Sequence, residues 1–230
     1  METAENEKKQ GEKEGGRFCI SKEELNSLPI GRFHGRISVI YSQGAAERAA
    51  GFLLRSRMLG FDTETRPSFK KGESHPTALV QLSNYEHAFL FRISEMSMPP
   101  SLRRILEDRH IVKIGQDVGP DLKALKKEHK VEGRGFVDLL DISKRLECSP
   151  RGVKAMAAHF LGFRVSKAAQ TTNWEARVLT EKQKVYAATD AWVCLAVYRK
   201  IMKMGLHESH VGSHKLHSGH VRGTLSHPKV

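Results

Sequence analysis

The sequence predicts an α/β fold: a mixed five-stranded sheet flanked by helices, with a helical C-terminal half. Three observations predict it. Short apolar strand patterns alternate with helical ones through the first half of the chain. One pair of strands, "TALVQLS" and "HAFLFRI", is separated only by a tight polar turn and must run antiparallel. From Val137 to Met204 the pattern is almost wholly helical.

The elements follow in order. Residues 1–20 are rich in Glu, Lys and Gly without apolar periodicity, which predicts a disordered tail. "SKEEL" offers a capping box, Ser21 with Glu24, that opens a short helix. "RISVIYS" reads as the first strand of the sheet and "AAERAAGFLLRSR" as the helix after it. "MLGFDTET" is the second strand, followed by the basic loop "RPSFKKGESHP" and then the hairpin. "SLRRILED" is a helix and "IVKIG" the fifth strand. "PDLKALKKEH" is a helix with Pro120 near its start, where a missing N–H costs nothing. "VDLLDISKRL", "GVKAMAAHFLGF" and a long segment from Glu181 supply the helical half, the last opened by a Thr180/Gln183 capping box. Residues 205–230 form a His-rich, Gly/Ser-rich tail, also expected to be disordered. One domain, 21–204, lies between the tails.

Composition narrows the function. The 230 residues are 39% hydrophobic and 28% charged, with no stretch apolar enough for a membrane span. Cys19, Cys148 and Cys194 have no CxxC spacing and read as free thiols. With no export signal expected at the N-terminus, cytoplasm is the expected location, or the nucleus of a eukaryotic source. The net charge is +12. About +11 of it falls in residues 21–204, so the folded part is basic and suited to a polyanion such as nucleic acid.

Carboxylates carry the chemistry. Asp62 and Glu64 are two apart on a strand, so both leave the sheet on one face at its carboxyl end, where ligands of open α/β sheets bind. Alone, the pair reads more simply as a solvated strand end. Asp121 lies in the first turn of a helix after a strand, an ordinary place for an acid, and Asp117 could equally be that helix's N-cap. Tyr186 and Asp190 lie four apart on one face of a helix whose neighbouring stripe is apolar.

Together, "FDTET", "GQDVGPD" and "YAATD", in this order, resemble the three motifs of the DEDD 3′→5′ exonucleases, which share a ribonuclease H-like fold. The tyrosine four residues before the last acid resembles the DEDDy branch. The resemblance runs from about Val39 to Ile201 and is closest to the exonuclease domain of the Werner syndrome protein and its small stand-alone bacterial and plant relatives. It implies Asp62, Glu64, Asp121 and Asp190 as metal ligands, with Tyr186 completing the catalytic set. Asp117 falls outside that set.

The implied activity is metal-dependent hydrolysis at the 3′ end of DNA or RNA, releasing nucleoside monophosphates. Two divalent cations, Mg²⁺ or Mn²⁺, suit an all-oxygen ligand set. Asp62 would bridge both ions, Glu64 and Asp190 would complete the first, and Asp121 would support the second. Arg66, Lys70, Lys71, Arg151, Lys154, Arg164 and Lys167 are candidates for phosphate contacts, though each alone reads more simply as a solvated side chain, and Phe69 and Trp174 are candidates for stacking on a base, with Trp174 equally readable as a core residue. Two other readings stand beside this one: a ribonuclease D-like RNA-trimming enzyme, and a non-catalytic nucleic-acid-binding module of the same fold.

Overall fold

A computed structural model describes residues 18–70 and 72–206. Chain order begins with β1 (Phe18–Cys19), α1 (Lys22–Ser27), β2 (Ile30–Gly31), β3 (Arg36–Ile40) and α2 (Gln43–Leu53). β4 (Met58–Thr65), β5 (Thr77–Ser83) and β6 (His87–Phe91) follow, then α3 (Pro100–Glu107), β7 (Val112–Gly115) and α4 (Val118–His129). β8 (Phe136–Asp138), α5 (Leu139–Arg145), β9 (Cys148–Ser149), α6 (Val153–Leu161), β10 (Arg164–Val165) and α7 (Glu181–Lys203) complete it.

The main sheet has the order β3-β6-β5-β4-β7-β8, with β5 antiparallel to both neighbours and every other pair parallel. The expected five strands are all present, and β8 is a sixth. Val137 and Asp138 were expected to open a helix. They instead pair with Ile114 and Gly115, and the helix starts two residues later, at Leu139, with Asp138 as its N-cap. A three-residue strand is too short to show alternation, so its apolar residues merge with the helical pattern behind it. The C-terminal half is also less helical than expected: β9 and β10 interrupt it, and residues 166–180 form a loop. Phe18 and Cys19 belong to the fold rather than to the expected N-terminal tail, since β1 pairs in parallel with β9 and Phe18 packs edge-on to His159. Ile20, bonded to the Ser149 carbonyl, and Leu206, packed against the core behind α7, likewise belong to the fold, while residues 1–17 and 207–230 of the two expected tails lie outside the described residues.

Two helical layers cover the sheet. Leu59 and Phe61 of β4 join Val80, Leu82, Phe89 and Phe91 in a core with α2, α3 and α4. The alternate residues of β4 face α7. Gly60 is required there, because a Cβ at that position would lie 1.9 Å from the Ala191 carbonyl oxygen. The helix backbone therefore rests directly on the strand, and the next two residues on the same face are Asp62 and Glu64.

Both sequence-read capping boxes are present. Ser21 and Glu24 exchange side-chain and backbone bonds, as do Thr180 and Gln183. Among the described residues no helix is long and apolar enough to cross a membrane, and Cys148 and Cys194 are free thiols.

Candidate active site

The site gathers where β4 passes under α7. Asp62 and Glu64 from the strand and Asp190 from the helix each offer a carboxylate oxygen, and these three atoms lie within 4.8 Å of one another. Tyr186 sits one turn before Asp190, buried, with the Trp174 ring 6.0 Å behind it. The Lys154 ammonium, from the first turn of α6, lies 5.6 Å from the centre of the Tyr186 ring. Sequence separation among these groups exceeds a hundred residues, and the Gly60 contact is what closes it.

Asp121 approaches from the other side of the sheet. α4 packs on the face of β4 that carries Phe61 and Thr63, and the Thr63 hydroxyl donates to Asp121 Oδ1 at 2.6 Å. Asp121 is thus adjacent to the three clustered carboxylates but held outside their group by its bond to Thr63. Asp117 takes the N-cap position of α4 in a left-handed conformation, φ 52°, without a side-chain capping bond. That capping is done by Asp138, whose carboxylate accepts from the backbone N–H of Asp117 and Val118.

The electrostatics are those of crowded, buried acids. Burial holds the Asp62 carboxyl well above the usual range, and the charges of Asp190 and Asp121 push it further. Glu64 is raised to about 10 by burial and by Asp62, Asp190 and Asp121. Asp121 is raised to about 6 by burial, with Asp117 and Asp138 adding to it and the Thr63 bond opposing. Asp190 is raised by burial, while Lys154 and a hydrogen bond from Tyr186 oppose the rise. One oxygen of Asp190 is buried and, among the described residues, has no hydrogen-bond partner. Such a cluster is costly to desolvate as bare anions and is relieved by a hard cation, so the donors fit Mg²⁺ or Mn²⁺ and not a soft metal. The Tyr186 phenol is pushed far above its ordinary value by burial and the same carboxylates.

The substrate-contact candidates divide. Lys154 joins the cluster. Arg66 lies at the exposed end of β4 and pairs with Glu175 at 3.6 Å. Lys70, Arg151 and Lys167 are exposed on flanking loops, and Phe69 is 83% exposed. Lys71 lies outside the described residues. Arg164 spends its Nε on the Leu28 carbonyl. Trp174 corrects the stacking expectation: it is 0% exposed and packs with Leu79, Leu90 and Tyr186, so no base can reach it. Its loop is pinned there, Gln183 Nε2 donating to Thr172 Oγ1 and the Asn173 carbonyl, and buried Arg92 to the Ala176 carbonyl. The tryptophan backs the tyrosine instead.

Thr63, Gln116 and Asp138 were not singled out from the sequence. Thr63 alternates away from the two acids and Asp138 was read inside a helix, so neither carried a local signal.

A sequence model described as 3′-5′ exonuclease matches residues 37–206. The chain belongs to the 3′-5′ exonuclease family. It is 34% identical over 200 residues to the mouse bifunctional 3′-5′ exonuclease/ATP-dependent helicase WRN, a match covering 81% of this chain and 14% of that protein. An Arabidopsis thaliana 3′-5′ exonuclease is 30% identical over 207 residues, covering 81% of this chain and 70% of the relative. The fold is shared with Trypanosoma brucei RNase D, solved in complex with RNA U12, at a TM-score of 0.63 and 20% identity over 73% of this chain and 63% of that one. Against several relatives the chain spans 41% or less of their length.

Proposed function

We propose that the chain is a metal-dependent 3′→5′ exonuclease that removes nucleoside monophosphates from the free 3′ end of a nucleic acid. The observation that carries this is the half-buried trio of Asp62, Glu64 and Asp190 beside Tyr186 and Lys154, in a chain of the 3′-5′ exonuclease family. Asp62, Glu64 and Asp190 would hold one divalent ion, and Asp62 with Asp121 a second. Bound Mg²⁺ or Mn²⁺ supplies Lewis acidity at the phosphate, acidifies water and stabilises the departing 3′ oxygen.

The protein's own groups do the rest. The Tyr186 phenol keeps its proton and, wedged between Trp174 and Lys154, orients the attacking water by hydrogen bonding rather than acting as a bulk base. Lys154 is placed to meet a non-bridging phosphate oxygen once the carboxylate charge is offset. Arg66 and the exposed Lys70 and Lys167 extend that contact along the strand.

The ribonuclease D-like reading differs in polymer, not in chemistry, and the shared fold with an RNA-bound RNase D keeps RNA among the substrates to be tried. The binding-module reading is not favoured, since all four acids and the tyrosine are present. A 5′-labelled oligonucleotide, offered as matched single-stranded DNA, recessed duplex DNA and RNA with Mn²⁺ or Mg²⁺, tests the proposal. Stepwise shortening from the 3′ end of at least one polymer is expected. Intact substrates after incubation with the folded protein would sink it.

A further inference from the structure

We propose that Asp138 is a positioning residue for the fourth carboxylate: it holds the turn between β7 and α4 in the shape that presents Asp121 to the other acids. The proposal rests on the two-ion reading above. β8 lies beside β7 with Asp138 in register with Gly115, so the Asp138 side chain emerges next to the turn that starts α4. Its Oδ1 accepts from the Asp117 N–H and the Leu140 N–H, both at 2.8 Å, and its Oδ2 from the Val118 N–H at 3.0 Å. One carboxylate thus caps two helices, its own α5 and the neighbouring α4.

The α4 start needs that help. Asp117 adopts φ 52° and ψ 51°, a left-handed conformation that costs a non-glycine residue free energy although Asp tolerates it better than most, and its own side chain gives no capping bond. Asp121 stands in the first turn of the same helix, and among the described residues its carboxylate is anchored by the Thr63 hydroxyl. Releasing the Asp117 and Val118 amides lets this turn relax and carries Asp121 with it. Asp138 is close enough to add negative charge to Asp121, yet its oxygens are committed to three backbone N–H groups, which marks it as a support and not a ligand. The same turn has a second anchor of different purpose: Gln116 Oε1 accepts from the Val153 N–H at 2.7 Å, tying down the start of α6 and with it Lys154.

The test is Mn²⁺ titration by calorimetry of the metal-stripped full chain, with melting temperature as the check on folding. Wild type, Asp138→Asn and Gln116→Ala are compared. Asp138→Asn keeps one acceptor oxygen and is expected to lose about 10–100-fold in Mn²⁺ affinity, the loss typical when a residue orienting a ligand is changed. Gln116→Ala is expected to bind Mn²⁺ as wild type does while raising the KM for an oligonucleotide. A wild-type isotherm for Asp138→Asn, or an equal loss in Gln116→Ala, would overturn the positioning role alone. No Mn²⁺ uptake by wild type would overturn the two-ion reading and this role with it. Should Asp138→Asn fail to fold, hydrogen exchange on wild type decides. The Asp117 and Val118 amides should be protected and become more so with Mg²⁺, and fast exchange at both would overturn the proposal.

Discussion

Glu64 and Asp121 set how the site responds to pH. Their folded values, about 10 and about 6, stand above the ordinary 4.5 and 3.8 of the unfolded chain. In the metal-free protein the folded state therefore binds more protons than the unfolded state from the ordinary values up to the raised ones. Stability from these groups is present at the acidic end of that window and is lost as pH rises through it. Scanning calorimetry in EDTA should show the melting temperature falling between about pH 5 and pH 8, with Mg²⁺ or Mn²⁺ restoring it at the upper end. A melting temperature that rises steadily over that range in EDTA would contradict the crowding of these acids. Tyr186 gives a second test at this scale. If its hydroxyl orients water as proposed, without holding the strand, Tyr186→Phe should lower kcat by about 100-fold while KM stays within about twofold. A rise in KM with unchanged kcat would assign the phenol to substrate binding instead.

At the scale of elements, the β4–α7 crossing positions everything. Gly60 lets the two backbones touch at Ala191, and this contact brings Asp190 over Asp62 and Glu64. Gly60→Ala must push α7 away or strain the strand. It should destabilise by about 1–3 kcal/mol, the usual range for overpacking, and lower activity further than the stability loss alone explains. Chemical denaturation and single-turnover cleavage measure the two effects, and full activity in a folded Gly60→Ala would show that the crossing has slack.

Elements were also where sequence and structure parted. The shared facing of Asp62 with Glu64 and of Tyr186 with Asp190 was legible from simple spacing on long, periodic elements, whereas their joining in one site was legible only from the three motifs taken together. The short strands β1, β8, β9 and β10 were not, since two or three residues carry no period and their pairing is decided by distant neighbours. Stacking and core readings of Trp174 stayed open in the sequence for a related reason: a loop residue has no periodicity to assign its facing, and the bonds from Gln183 and Arg92 fold the loop inward. Asp138 escaped because capping a helix twenty residues upstream leaves no local pattern.

For the molecule as a whole, the basic surface and the acidic site oppose one another, and that arrangement fits a polyanion drawn to a centre that needs cations. A net charge of +12 makes binding salt-dependent, with log KM rising as log salt rises. Lys154→Ala should lower that slope by about 1, as the loss of one phosphate contact does. An unchanged slope would confine Lys154 to balancing the carboxylates. The acids are held in the fold at the expense of stability. Asp62→Asn removes the cost of ionising one carboxyl among crowded acids and should raise the metal-free melting temperature by roughly 2–4 °C, the shift 1 kcal/mol gives in a domain of this size. The same variant tests the central claim most directly. With Mn²⁺ and a 5′-labelled oligonucleotide, the wild type should produce a ladder of products shortened from the 3′ end, and neither Asp62→Asn nor the wild type in EDTA should produce any. Cleavage that survives in folded, nuclease-free Asp62→Asn would contradict a carboxylate-held metal site as the source of the activity.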